Sequence, residues 1–181
     1  MQRPVDKQHI DEFFASASQV FAYYSWFVEI SPRLIGSKRR KHELIHFHIT
    51  ENAIAMGFLI NLRRLDEFFH TKKKYPDDVR AYEFGFTAPG GFLSKPQRSK
   101  IDKQIAHPTE VPADPKEKVH FTYMLAHQAL VCVFRFIDFL LAGPHPPSTP
   151  YGRSIAFTKG QYMGFWAAYT DLVPADEQLP F

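Results

Sequence analysis

The segment Arg98 to Thr109, RSKIDKQIAHPT, gathers Arg98, Lys100 and Lys103 ahead of His107 and a proline. As a helix with about 100° between residues, stopped at Pro108, it puts Lys100, Lys103 and His107 on one side. Ile101 and Ile105 then share another side, and Arg98 falls roughly opposite His107. A neutral imidazole beside two ammonium groups suits removal of a proton from an RNA 2′-hydroxyl, while a cation stabilises charge building on the phosphate. The same positive neighbours hold the imidazole in its basic form, and the chemistry needs no metal. The plainer alternative is a solvated lysine face, with His107 capping carbonyls at a helix C-terminus.

A second constellation is HELIH, His42 to His46. On a helix its two histidines stand one turn apart, the geometry that binds zinc while Glu43 serves as base. His48, Glu51 and His70 are the candidate third ligands, but FHITEN follows the motif in place of any metzincin continuation. The expected role of these histidines is therefore hydrogen bonding inside a helical bundle, with no metal or cofactor assigned. The metal hydrolase built on His42, Glu43 and His46 stands as the lesser alternative. The basic runs at 33–41 and 72–74 read as solvated helix ends.

Composition narrows the classes further. A chain of 181 residues suits one domain with a real core. Its 18 Phe and 8 Tyr predict a core built largely of rings. The net charge of +3 is too small to imply nucleic-acid binding, so that argument rests on local clusters. One cysteine, Cys132, excludes an internal disulfide and a cysteine-rich zinc site, and fits a cytoplasmic protein. The opening MQRPVDKQHIDEFF lacks the apolar run of a signal peptide. ALVCVFRFIDFLLAG is interrupted by Arg135 and Asp138, which predicts a buried helix and no membrane association.

The elements that must position these groups are helical. Phe13, Phe14, Val20, Phe21, Tyr24, Phe27 and Val28 recur at helical spacing until Ser31-Pro32. A second helix is expected over about 37–71, on Ile45, Ile49, Met56, Leu59, Leu62, Leu65 and Phe69. Pro76, Asp77 and Asp78 predict the start of a short helix, and FTAPGGFLSKP a loop. QRSKIDKQIAH is a further short helix, and about 116–142 a long apolar one that GPHPPSTPYG cannot continue. Arg135 and Asp138 are expected to pair with each other or to meet a partner chain. The expected architecture is all-α, a bundle of three long helices plus short ones over residues 1–143. Residues 144–181 would form a tail whose one short aromatic helix, from Lys159, packs on the bundle through Tyr162, Phe165, Trp166 and Tyr169.

IDKQIAHPT, after a helix pair and before a long apolar helix, resembles the signature segment of the HEPN superfamily, in its abortive-infection and toxin-like branches. The resemblance implies a helical domain, a homodimer, and a metal-independent RNA-cutting site built from an Arg, a polar residue and a His four to six positions on. Here His107 matches the histidine and Asp102 the polar residue, but Ile101 stands where the arginine belongs. The resemblance thus implies an RNA-engaging protein, either a toxin-like or defence ribonuclease or its catalytically degenerate relative, with an antitoxin-type protein as a further partner. In that scheme His107 acts as acid or base, Lys103 and Lys100 grip phosphate with Arg98 nearby, and Asp102 orients the histidine. The alternative of another class is a non-catalytic dimeric interaction module.

Overall fold

The computed structural model describes residues 7–26, 41–73, 75, 78–88, 90–106 and 115–170. Among the described residues five α-helices carry the fold: α1 Lys7–Ser25, α2 Lys41–Phe68, α3 Lys95–Ala106, α4 Pro115–Ala142 and α5 Pro150–Thr170. A single 3-10 turn at Ala81–Phe84 interrupts the passage from α2 to α3. No strand occurs among the described residues, so the chain is all-α.

α1 buries Ile10, Phe13, Ala17, Val20, Phe21 and Tyr24, a stripe at steps of three and four. That stripe lies mainly against α2, with α4 behind it. Close approach of α1 and α2 depends on Gly57: a Cβ there would stand 2.7 Å from the Tyr23 ring. The core between them is aromatic. The Phe136 ring of α4 sits 4.9 Å from Phe13 and 5.1 Å from Phe68, and Phe13 and Phe68 are 4.8 Å apart. Edge-on contacts of this kind add to the burial that drives the packing.

α4 supplies the other half of the core through Leu125, Ala129, Leu130, Val133, Phe136, Ile137 and Leu140. Its stretch Met124–Ala142 is long and apolar enough to cross a membrane by length and composition, and 61% of the most apolar window is buried within the bundle. Arg135 and Asp138 do not pair in the way expected. Asp138 accepts instead from Lys159 of α5 at 2.5 Å, because the two helices pack side by side.

α5 corrects the sequence reading most clearly. It is a helix of 21 residues that starts at Pro150, nine positions before Lys159, and so is the fourth long helix among the described residues, where a short tail helix was expected. The start is specified by Thr149, whose Oγ1 accepts from the Gly152 backbone N–H at 3.0 Å, with Pro150 at the first helical position. Tyr162 and Trp166 are buried, and Tyr162 stacks on Phe21 with ring centroids 4.3 Å apart. α2 spans 28 residues and ends three positions before the expected Thr71. The short helix anticipated near Pro76 is the 3-10 turn five residues later; Pro76 and Asp77 lie outside the described residues.

Candidate functional site

The best-built polar centre joins the end of α2 to the beginning of α3. Asp66 lies on the apolar stripe of α2, four residues after Leu62 and seven after Leu59, and is 0% exposed. A carboxylate there demands partners. Arg98 Nε donates to Asp66 Oδ2 at 2.7 Å, and the Leu93 backbone N–H donates to Oδ1 at 2.9 Å. Arg98 also reaches the Leu93 carbonyl at 2.8 Å, so one guanidinium closes the loop that leads into α3. Arg63 stands 3.5 Å from the same carboxylate and His70 3.8 Å.

Gly91 makes this arrangement possible. A Cβ at that position would collide with Asp66 Oδ1 and come within 2.6 Å of both Arg98 and His70 Nε2. His70 Nε2 is buried and has no hydrogen-bond partner. Burial, then the Arg98 guanidinium, pushes its pKa below the ordinary value of 6.5, although Asp66 pulls the other way. The histidine is therefore held neutral beside an arginine that already satisfies the carboxylate.

α3 divides into two sides. Ile101 is fully buried and Ile105 half-buried, in line with Arg98 turning inward. Lys95, Lys100 and Lys103 all stand exposed. Asp102 is engaged across to α2: Arg63 Nε donates to its Oδ1 at 3.1 Å, while the carboxylate keeps 56% exposure. Arg63 also reaches Glu67 at 2.9 Å, so it bridges α2 to α3. Of the residues expected to act together, Lys100 and Lys103 share a face, whereas Arg98 and Asp102 are drawn into helix-to-helix pairs. His107 lies outside the described residues.

HELIH falls on the first turns of α2, and the side chains of residues 41–48 lie outside the described residues. His70 cannot complete a metal site there within one chain. From His46 to the end of α2 at Phe68 the helix rises roughly 33 Å. Among the described residues no three His, Cys, Asp or Glu side chains are grouped to hold a metal. Burial pushes the Cys132 thiol up to about 11, which leaves it a packing residue and not a nucleophile.

The sequence reading missed the Asp66 centre. Its signal was present: an aspartate in register with Leu59, Leu62 and Phe69 cannot face water if they face the core. Also missed was a cleft of about 750 Å³ between α1 and α2, lined as well by Asp78, Val79 and Arg80. Neither protein-family models, nor curated proteins, nor solved structures yield a match to this chain.

Proposed function

We propose that this helical bundle engages RNA on the outer side of α3, as a catalytically degenerate relative of the HEPN class. The observation that supports this reading is the split of α3 into a clamping side, with Arg98 on Asp66 at 2.7 Å, and an exposed lysine side. Lys95, Lys100 and Lys103 cover about 12 Å of helix and fan over roughly 140° of its circumference, a spread of point charges suited to phosphate. Lysine lacks the guanidinium fork, so the grip is electrostatic and indifferent to sequence.

Catalysis fits less well than binding. Arg98 is committed to a buried carboxylate and Asp102 to Arg63, so neither is placed to serve a reacting phosphate. RNA incubated with the protein in chelator is accordingly expected to remain intact. Metal-independent cleavage that disappears in His107→Ala would replace this reading with the ribonuclease one.

A second reading, a dimeric interaction module, is favoured by one feature of α5. Phe157 is 68% exposed and shares an open side with Gly160 and Gly164, where a Cβ would meet nothing within 4 Å. Such a face suits a second copy of the chain approaching closely. Mass in solution at rising concentration, for the parent and Phe157→Asp, tests it.

A further inference from the structure

The cleft between α1 and α2 has the size of a small-molecule site and a charge pattern of its own. Its volume of about 750 Å³ lies within the range of roughly 300–1,000 Å³ usual for ligand pockets. Phe13, Leu65 and Phe68 give it an apolar floor, and Glu12, Arg64 and Arg80 charged walls. Two further carboxylates in the lining are already neutralised. Glu67 pairs with Arg63 at 2.9 Å, and Asp78 with Arg80 at 2.6 Å.

What remains is one charge of each sign on facing helices. Arg64 of α2 is exposed and enters no ion pair among the described residues. Glu12 of α1 is exposed and holds only the neutral amide of Gln8, at 3.0 Å. Arg80, also in the lining, is only 5% exposed and its charge is already met by Asp78.

We propose that this cleft binds a small zwitterion of the amino-acid type, its carboxylate toward Arg64, its ammonium toward Glu12, and its apolar body on the half-buried Phe68. The site is separate from the lysine side of α3 and stands whether or not RNA is bound there.

Calorimetric titration of the whole protein with leucine and with phenylalanine tests the assignment. At least one of the two binds with a dissociation constant below about 10 mM, and its deaminated acid and decarboxylated amine bind at least about tenfold more weakly. Arg64→Gln and Glu12→Gln, both at exposed positions, each weaken binding at least about tenfold while leaving the melting temperature unchanged. Failure of both amino acids to bind overturns the proposal. Equal binding of the acid alone, or binding indifferent to both substitutions, overturns it as well.

Discussion

Arg98 donates to Asp66 across a gap of 32 positions, at 2.7 Å, and Asp66 has no exposed surface at all. This pair fixes the angle at which α3 leaves the bundle, and so decides which of the basic residues of α3 reach solvent. Arg98 belongs to the scaffold; Lys95, Lys100 and Lys103 form the surface that the scaffold displays.

Removing one partner should expose that role. Arg98→Ala leaves a buried carboxylate with the Leu93 N–H, at 2.9 Å, and the more distant Arg63 and His70 for compensation. Its cost falls at the low end of what breaking buried pairs brings, about 3 kcal/mol by urea unfolding. Asp66→Leu combined with Arg98→Met recovers most of that loss, because no charge is then left buried. Lys103→Ala leaves the unfolding midpoint where it was.

Gly91 is a sharper probe of the same centre. Its missing Cβ leaves the room that Asp66, Arg98 and His70 occupy. Gly91→Ala destabilises by about 1–3 kcal/mol, since three packed polar groups must shift together. Gly160→Ala on the open side of α5 stabilises slightly, by up to about 1 kcal/mol, through helix propensity alone. Thermal unfolding of the two variants gives the contrast directly.

The start of α5 offers a third check. Thr149 Oγ1 accepts from the Gly152 N–H and donates to the Pro146 carbonyl at 2.9 Å. Thr149→Ala removes both bonds and lowers stability by about 1 kcal/mol, whereas Thr149→Ser retains most of it. Chemical denaturation of the pair measures the difference.

Stability also depends on pH in a defined direction. His70, His127 and His145 all have pKa values lowered by burial from the ordinary 6.5. The unfolded chain therefore binds protons more readily, and the contribution of these residues is complete above 6.5 and lost as pH falls through the lowered values. The urea midpoint should drop between about pH 7.5 and about pH 5.5, and drop less in His70→Asn. An unchanged midpoint across that interval would contradict the burial of the three rings.

Much of this fold was legible from periodicity. α1 shows its stripe from Phe13 to Tyr24, and the helical spacing of Tyr162 and Trp166 pointed to core packing or an oligomer interface, of which the structure shows burial in the core. The features that escaped are local or distant ones that periodicity does not carry. GPHPPSTPYG reads as a breaker because of its prolines, yet Ser148-Thr149-Pro150 is also a cap followed by a residue suited to the first helical turn. The placement of Arg98 opposite the lysine side was readable from the helix wheel; its partner was not, since nothing in sequence links positions 66 and 98. Asp102 is paired with His107 by the HEPN resemblance, in which it takes the place of the polar residue. Among the described residues Arg63 donates to it, and His107 lies outside them.

The most direct test of the account is the salt dependence of RNA affinity for the parent chain and for Lys95→Glu/Lys100→Glu/Lys103→Glu. The parent should bind labelled single-stranded RNA with affinity falling as salt rises, at a slope equivalent to about two or three phosphate contacts. The triple variant should keep its stability and lose most of the affinity and the slope. Equal binding by both proteins, or no binding by the parent at low salt, would contradict the claim that the lysine side of α3 meets RNA.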